Sequence, residues 1–349
     1  MSDYTLVHGD CLEAMRAMEA GGVDAIVTDP PYGLRFMGKR WDYDVPGVDT
    51  FREMLRLLPD GGRLLCFAGA RTAHRMTVNI EDAGFIIEDV VMWLYGSGFP
   101  KHKSKLKPAY EPIVVARKGG ASELNIDAGR IGTGEDRTEG GLTLRGSIWG
   151  GGDGEREARP TGGRWPANVA LDDEAARALD EMSGELHSQD PRTRKNGQKA
   201  TRHGVSTPFE AGAEPLAYAD SGGASRFFYT AKAPRAEREH GLEGASRKRG
   251  GSTVDGFTED KAKGNDRNRP VANHHPTVKP VDLMRWLVRL VAKPGQTVLD
   301  PFMGSGTTGV ACTLEGVGFV GVEREAEYVD IARRRIVATQ PNLFSEGAA

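Results

Sequence analysis

Apolar and polar positions follow two different periods near the N-terminus of this chain. Residues 23–27 and 64–68 are short apolar runs that stop close to Pro or Gly, which is typical of buried strands. Between them, apolar side chains in 51–58 recur at the spacing of an amphipathic helix, and Thr50 with Glu53 predicts a capping box at its start. This alternation predicts an α/β fold with a mostly parallel sheet.

Regular patterning continues to residue 118 and returns after residue 273. Residues 85–93 and 112–116 predict an antiparallel pair of strands. Toward the C-terminus, Pro280 predicts the start of a helix, and residues 297–299 and 318–322 predict two further strands. The two ends of the chain therefore carry the same kind of secondary structure, and we expect them to form one domain.

The segment between the two ends has a different composition. From residue 119 to 273 Gly, Arg, Asp and Glu dominate and apolar periodicity nearly vanishes, except for a strand and helix pattern over 165–182. An aromatic run at 227–229 favours a small core over a stacking platform for bases. The predicted divisions are a first half at 1–118, an insert at 119–273, a second half at 274–338 and a tail at 339–349.

Bulk charge adds little to this picture. The formal net charge of -3 and the pI near 6.3 do not indicate nucleic-acid binding, but they average over all faces of the protein. A local basic groove is therefore not excluded. Lysines at alternate positions between the two antiparallel strands are candidates for phosphate contacts, the alternative being a solvated loop. We assign Lys101, Lys103 and Lys105 to substrate binding on this basis.

Cysteine usage and hydropathy point to a cytoplasmic protein. Cys11, Cys66 and Cys312 are far apart, without a second cysteine at metal-ligand spacing, so we expect reduced thiols and no metal site. No segment approaches the roughly 18 consecutive apolar residues of a membrane span, and the N-terminus has no basic and apolar leader. We therefore expect a soluble protein without a membrane partner.

The most informative stretch is Asp29-Pro30-Pro31-Tyr32, directly after the first buried strand. Ligands of open α/β sheets bind at the carboxyl ends of the strands, which makes Asp29 a candidate for the reaction centre. The prolines stiffen the backbone, so the carbonyl of Pro30 is held in a fixed direction. A carboxylate, a rigid carbonyl and an adjacent aromatic ring are suited to hold the exocyclic amine of a nucleobase.

A glycine turn follows the strand at 297–299. Gly304 and Gly306 let the backbone approach a ligand closely before a helix begins, and Glu323 ends the next strand, where nucleotide folds place an acid on ribose hydroxyls. A lone glycine pair is weak evidence for a cofactor site, and the acid strengthens it. Thr307 stands where a phosphate-cradling loop would carry lysine, which argues against a nucleoside triphosphate.

Together these two motifs resemble those of the β group of amino-group DNA methyltransferases, which use S-adenosylmethionine. The resemblance covers about residues 1–118 and 274–338 and implies a three-layer, Rossmann-like fold, circularly permuted, with a target-recognition insert. It implies a site-specific enzyme that flips a base out of double-stranded DNA and methylates its amine, as in restriction–modification systems. Asp29 at the first motif position favours adenine N6, and cytosine N4 is the alternative.

The resemblance also implies roles for individual residues. Asp29, Pro30 and Tyr32 would be catalytic, and Pro31 would contact the base. The residues expected to bind S-adenosylmethionine are Asp10, Cys11, Thr277, Lys279, Asp300, Phe302, Gly304, Ser305, Gly306, Thr307 and Glu323. Glu323 would hold the ribose and Asp10 the adenine amine. Thr277 and Lys279 would lie near the methionine carboxylate, although Lys279 by itself reads as an ordinary residue ahead of a helix.

Three alternatives follow from the same residues. Ring-carbon methylation is disfavoured because it needs a nucleophilic cysteine, usually after proline, and no cysteine follows one here. A non-catalytic DNA-binding protein of the same fold is a second reading, which the intact motifs disfavour. The resemblance also implies a homodimer as a partner state, because members of that family often form homodimers. The tail at 340–344 resembles peptides that bind sliding clamps, but a frayed end is the simpler reading.

Overall fold

The computed structural model describes residues 3–34, 42–96, 98, 106–132, 163–187, 221–231, 235–249 and 270–340. The strands are β1 (Tyr4–His8), β2 (Ala25–Thr28), β3 (Arg63–Phe67), β4 (Ile86–Leu94), β5 (Tyr110–Arg117), β6 (Val169–Asp172), β7 (Leu186–His187), β8 (Ser221–Gly222), β9 (Tyr229–Ala231), β10 (Lys248–Arg249), β11 (Pro270–Val271), β12 (Thr297–Asp300) and β13 (Gly318–Glu323). The helices are α1 (Cys11–Arg16), α2 (Val48–Leu57), α3 (Ala73–Asp82), α4 (Asp173–Ser183), α5 (Arg235–Glu239), α6 (Val281–Val291), α7 (Thr307–Leu314) and α8 (Ala326–Thr339), with 3-10 turns at Ile126–Gly129 and Ala224–Phe227.

Among the described residues, nine strands form one sheet in the order β1-β13-β12-β2-β3-β5-β4-β6-β9. Only β5 runs against the others, and its pairing with β4 is the antiparallel pair expected from the sequence. β2, from the N-terminal half, pairs in parallel with β12, from the C-terminal half, through Ala25 and Val298. The prediction that the two chain ends meet in one sheet is confirmed, and their carboxyl strand ends share one edge.

Alternate residues of the central strands enter two separate cores. Ala25 and Val27 of β2 face one core with α6, α7 and α8, whereas Ile26 faces the other with α1, α2 and α3. This alternation follows from the two-residue period of a strand. Since both faces are covered by helices, the central strands read as continuous apolar runs. The sheet is therefore the middle of three layers, as predicted.

The predicted capping box at Thr50 is wrong. α2 begins at Val48, with Gly47 as its N-cap and no side-chain capping bond, so Thr50 already lies inside the first turn. The helix starts three residues earlier than the pattern suggested, because Gly47 in an extended conformation serves as the N-cap and Asp49 supplies an acid in the first turn. The helix itself and its buried face of Phe51 and Met54 agree with the prediction.

Two strands inside the predicted insert extend the main sheet. β6 pairs with β4, and β9 pairs with β6. Tyr229 of β9 stacks on Trp286 of α6 with ring centroids 5.0 Å apart, so this part of the aromatic run packs against the main core. Phe227 is 41% exposed and lies between the guanidinium groups of Arg164 and Arg226. These two strands make part of the insert continuous with the sheet, whereas β7 with β8 and β10 with β11 form separate two-stranded sheets. Residues 341–344 of the predicted clamp-binding tail lie outside the described residues.

Candidate active site

A cleft lies along the carboxyl edge of the sheet, where β1, β13, β12 and β2 end side by side. Its walls come mainly from residues within 9–11, 29–34, 275–279, 300–308 and 322–325. The first two segments precede the insert in the chain and the other three follow it. The cleft therefore exists only because the two ends of the chain meet.

The cleft brings together nearly all residues that the sequence singled out. Those that line it are Asp10, Cys11, Asp29, Pro30, Pro31, Tyr32, Thr277, Lys279, Asp300, Phe302, Gly304, Ser305, Thr307 and Glu323. Gly306 is the N-cap of α7, next to this lining. The predicted phosphate contacts Lys101, Lys103 and Lys105 lie outside the described residues, so their role stays a prediction.

Asp300 joins the two halves of the cleft. Its buried carboxylate accepts hydrogen bonds of 2.6 Å from the hydroxyls of Thr28, at the end of β2, and Thr308, in α7. The amide of Phe302 donates a third bond, at 3.1 Å. Burial raises the pKa of Asp300 to about 6, against the lowering effect of these donors. Asp300 thus fixes the end of β2, and with it Asp29, against the glycine turn.

The backbone around Tyr32 is held from two sides. The carboxylate of Asp42 accepts from the amides of Tyr32 and Gly33, at 2.8 and 2.9 Å. On the other side, the hydroxyl of Thr72 donates a 2.6 Å bond to the carbonyl of Tyr32. Gly33 has φ +67°, a conformation that side chains with a Cβ rarely adopt, so the chain can turn sharply after the aromatic ring. The ring is therefore anchored through its own backbone.

Four polar side chains from distant parts of the chain form a cluster around Asp29. The ammonium of Lys279 lies 2.5 Å from Oδ2 of Asp29 and 3.3 Å from Oε2 of Glu111. The hydroxyl oxygen of Tyr32 lies 2.6 Å from Oδ1 of Asp29 and 2.9 Å from Oε2 of Glu111. Tyr32 has one proton, so it donates to one carboxylate at a time. The cluster fixes the orientation of both carboxylates.

The electrostatics of this cluster keep Tyr32 and Lys279 protonated at neutral pH. Burial, reinforced by the charges of Asp29 and Glu111, raises the pKa of Tyr32 well above its usual value, so its hydroxyl stays a donor. Burial alone would lower the pKa of Lys279, but the two carboxylates outweigh it and raise that pKa. Two carboxylates against one ammonium leave the cluster with one formal negative charge. Asp29, one of the two carboxylates, lines the cleft, so a ligand in the cleft meets this negative charge.

The position of Lys279 differs from the sequence-based expectation. The resemblance placed it near a methionine carboxylate, whereas the structure places its ammonium on Asp29 and Glu111, with the ring of Phe67 4.8 Å away. The physical reason is burial, because a buried ammonium requires an opposite charge in contact with it. Sequence reasoning missed Glu111 altogether. Glu111 stands near the start of the mostly apolar strand β5, and no local pattern around it marks a functional role.

The glycine turn is held by groups on its far side. Gly304 and Gly306 have φ +51° and +79°, which the tight turn requires. Behind the turn, the buried guanidinium of Arg335 donates to the carbonyl of Ser305 at 2.7 Å and to the hydroxyl of Thr307 at 3.1 Å. Arg335 was also missed by sequence reasoning, although a lone arginine on the apolar face of α8 was a usable signal.

The chemistry of this half of the cleft fits S-adenosylmethionine. A Cβ on Gly304 would lie 2.7 Å from the ring of His275, so only glycine leaves this surface open. Glu323 presents a carboxylate that accepts from the amides of Gly304 and Glu325, at 3.0 and 2.8 Å, and has lone pairs left for hydroxyl groups. The acids lining the cleft suit a ligand with a positive sulfonium, and Phe302 adds an apolar surface.

Thiol chemistry is disfavoured at this site. Cys11 lines the cleft, but burial and then the charge of Asp10 raise its pKa to about 11. Burial likewise raises the pKa values of Cys66 and Cys312 well above the usual value. The thiolate is the nucleophile in covalent methyl transfer to ring carbons, and all three thiols stay protonated at neutral pH.

Two further properties concern only the described residues. Within them, no group of three or more His, Cys, Asp and Glu side chains is arranged to bind a metal ion. None of the described helices is both long enough and apolar enough to cross a membrane.

Comparison with solved structures first shows which class of protein has this fold. The PvuII DNA methyltransferase, described as cytosine-N4-specific, matches with a TM-score of 0.51 at 16% identity, over 96% of this chain and 86% of that one. At this identity the likeness concerns the fold alone: a mixed α/β sheet with helices on both faces. The fold is thus one that a DNA methyltransferase has.

Sequence comparison gives the family. The profile of the DNA methylase family for N6 and N4 amino groups matches residues 23–334, which is most of the chain. This chain therefore belongs to the N6/N4 DNA methylase family, whose members are S-adenosylmethionine-dependent. The resemblance stated from the two motifs is confirmed, and so is the cofactor class that it implied.

Two curated relatives match shorter segments. The type II methyltransferase M.Cfr9I of Citrobacter freundii is 35% identical over 124 residues, which are 36% of this chain and 37% of that protein. The type II methyltransferase M.HinfI of Haemophilus influenzae is 41% identical over 68 residues, 20% of this chain and 19% of that protein. The matched segments span well under half the length of either relative.

Proposed function

We propose that this chain transfers the methyl group of S-adenosylmethionine to the N6 amine of adenine in double-stranded DNA. The observation that carries the proposal is the bond between the two halves of the cleft. Thr28, next to Asp29, donates a 2.6 Å hydrogen bond to Asp300 at the start of the glycine turn. An acceptor for an amine and a loop suited to the methyl donor therefore lie at neighbouring strand ends.

The glycine turn and its neighbours would hold the cofactor. Glu323 would accept from the ribose hydroxyls, and the open backbone at Gly304 would lie against the methionine part. Asp10 uses Oδ1 to cap α1, which leaves its other carboxylate oxygen for the adenine amine. Bound S-adenosylmethionine would supply an electrophilic methyl group on a sulfonium.

The Asp29 side of the cleft would activate the acceptor. The exocyclic amine of a base is a poor nucleophile because its lone pair is delocalised into the ring. Asp29 and the carbonyl of Pro30 accept from its two hydrogens, which localises the lone pair on nitrogen and aims it at the methyl group. The ring of Tyr32 stacks on the flipped base, and its hydroxyl donates to the carboxylate of either Asp29 or Glu111.

The charge of the cluster suits the product of this step. When the new N–C bond forms and the sulfonium bond breaks, the amine nitrogen becomes positive until it loses a proton. The net negative charge shared by Asp29, Glu111 and Lys279 stabilises that developing charge. Asp29 is the carboxylate in position to receive the released proton. No cysteine is needed for this route.

Adenine is favoured over cytosine by the first residue of the catalytic motif. Asp29 stands where a serine is commoner in the cytosine enzymes that the motif resembles. Cytosine N4 is the second candidate because both amines present the same two hydrogens to the acceptors.

We assign target recognition to the insert at 119–273 and a permuted order to the fold, with the catalytic motif ahead of the cofactor turn. Contacts with base edges carry sequence information, whereas contacts with phosphates position the duplex. Two strands of the insert, β6 and β9, extend the sheet that also carries Asp29, which supports an insert attached to the catalytic domain.

The direct test is to incubate the protein with isotope-labelled S-adenosylmethionine and genomic DNA, and to digest the DNA to nucleosides. Labelled N6-methyldeoxyadenosine is the expected product. Labelled N4-methyldeoxycytidine would mean that the target base is cytosine and not adenine, and the rest of the proposal would stand. Absence of both labelled products, with DNA still bound, would favour the non-catalytic alternative.

A further inference from the structure

A cationic surface lies beside Tyr32, away from the glycine turn. Arg71 and Arg75 are exposed at the start of α3, which follows β3, and β3 lies on the opposite side of β2 from β12. Within the described part of the chain, neither guanidinium has a hydrogen-bond or ion-pair partner. By contrast, Arg52 of α2 pairs with Asp49 at 2.9 Å. The two charges at the start of α3 are therefore available to a partner.

This surface is continuous with the catalytic motif. Thr72, next to Arg71 in the chain, donates its hydroxyl to the backbone carbonyl of Tyr32. Gly69 packs so closely that a Cβ there would lie 3.1 Å from the Tyr32 side chain. The loop that carries Arg71 is thus in direct contact with the residue proposed to stack on the base, and Arg75 follows it one turn later on α3.

The opposite rim of the cleft carries acids and cations in balance. Glu325 lines the cleft on the side of β13, and Glu327 follows it on α8. The cations on that rim are paired: Arg324 lies 3.7 Å from Glu325, and Lys248 lies 2.6 Å from Glu327. A polyanion would therefore be attracted more strongly to the α3 rim, where the two arginines are unpaired, than to the β13 rim, where these charges cancel.

We propose that Arg71 and Arg75 contact the phosphodiester backbone of the DNA strand that carries the target nucleotide. This inference rests on the function proposed above. A flipped nucleotide stays joined to its strand, so its own phosphate and the neighbouring ones must pass the rim beside Tyr32. Exposed arginines at that rim bind phosphate oxygens without reading sequence, and they hold the strand while the base enters the cleft.

The test is a salt titration of DNA binding. The variant Arg71→Gln/Arg75→Gln is compared with the unmodified protein on a mixed-sequence duplex, with binding followed by fluorescence anisotropy. Each lost phosphate contact lowers the slope of log K against log salt by about 0.9, so the double variant should lose roughly 1.8. Its affinity near 0.1 M salt should fall by about 10- to 100-fold. Its affinity for S-adenosylmethionine should not change.

Arg333 provides the matched control. It is exposed on α8, on the cofactor side, and within the described residues it too has no ion-pair partner. Arg333→Gln should bind DNA with the unmodified slope. An unchanged slope in the double variant, or an equal loss in Arg333→Gln, would overturn the inference. Because binding is measured without methyl transfer, failure of the proposed activity would appear separately, as absence of methylated nucleosides with the unmodified protein.

Discussion

The two halves of the cleft are built from different kinds of group. On the side of β12 and β13, the surface is mainly backbone of the glycine turn, with Glu323 bonded to two amides. On the side of β2, the surface is a cluster of charged side chains in which Lys279 joins Asp29 to Glu111. The first half suits a ligand held by shape and hydrogen bonds, and the second suits a ligand held by its amine hydrogens.

The difference teaches how binding and catalysis are divided in this fold. A backbone loop with fixed φ values can bind a cofactor without side-chain rearrangement. A cluster of opposite charges can stabilise a charge that appears only during the reaction. Changes in one half should therefore alter cofactor affinity and stability, and changes in the other should alter turnover. The following predictions test this division.

The largest effect is expected from Asp29→Ala. Loss of the acceptor for the amine should lower kcat by about 10³-fold, because the interaction is made mainly in the transition state. The dissociation constant for S-adenosylmethionine, measured by calorimetry, should change by less than about threefold, since Glu323 and the turn are untouched. Asp49→Ala on α2, which removes an exposed carboxylate paired with Arg52, is the control and should retain full activity. Equal loss of cofactor affinity in Asp29→Ala would contradict the division.

The next largest effect is expected on stability, from Gly306→Ala. The residue has φ +79°, and a Cβ would lie 2.7 Å from the Cβ of Ala332 and 2.9 Å from its Cα, which is backbone of α8. Strain and overpacking together should lower the free energy of unfolding by about 3 kcal/mol and weaken cofactor binding. Gly119→Ala is the control because φ is not positive there and no atom lies within 4 Å. Similar denaturant midpoints for both variants would show that the turn tolerates other conformations.

A smaller effect, and a change in pH dependence, is expected from Lys279→Met. Without the ammonium, Asp29 and Glu111 face each other as like charges and retain a proton to higher pH. Turnover at neutral pH should fall by roughly 10- to 100-fold, and the rising limb of the pH–rate profile should move to higher pH.

The variant Lys279→Met/Glu111→Gln also removes the negative charge of Glu111 beside Asp29. Its pH–rate profile should return to that of the unmodified protein. If Lys279→Met instead weakens S-adenosylmethionine binding and leaves the profile in place, Lys279 has the carboxylate-binding role that the family resemblance implied.

The same division explains what could be predicted from the sequence. The glycine turn is encoded in eight consecutive residues, 300–307, and β2 with its following motif also in eight, 25–32, so both were visible as local patterns. Glu111 was not visible, because its contact with Lys279 joins positions 168 residues apart and depends on the register of β5. The capping box failed for the opposite reason: a local motif at Thr50 was overridden by a helix start at Gly47, three residues before it. Local backbone sites can be read from sequence, and clusters of distant side chains require the fold.

The smallest effect concerns two residues of the cleft whose pKa values are shifted in opposite directions. Burial raises the pKa of Asp300 from 3.8 to about 6. Burial, and then the charges of Lys279 and Arg238, lower the pKa of His275 from 6.5 to about 3. Between about pH 4 and 6 the folded chain holds a proton on Asp300 that the unfolded chain releases, so this contribution to stability falls as pH rises. In the same interval the unfolded chain protonates His275 and the folded chain does not, so that contribution rises with pH.

In the unmodified protein, the opposite pH dependences of stability from Asp300 and His275 cancel. The variant Asp300→Asn lacks the first, so the pH dependence from His275 should become measurable. Relative to the unmodified protein, the free energy of unfolding of this variant should rise with pH by about 1.4 kcal/mol per pH unit between about pH 4 and 6. Urea unfolding at several pH values measures this difference, and any uniform loss of stability from the altered bonds to Thr28 and Thr308 cancels from the slope. Adding His275→Asn should remove the slope again, because no group of the pair then titrates in this interval. Parallel curves for the unmodified protein and Asp300→Asn would mean that Asp300 is ionised in the folded chain throughout, and that the bonds from the two threonines outweigh burial.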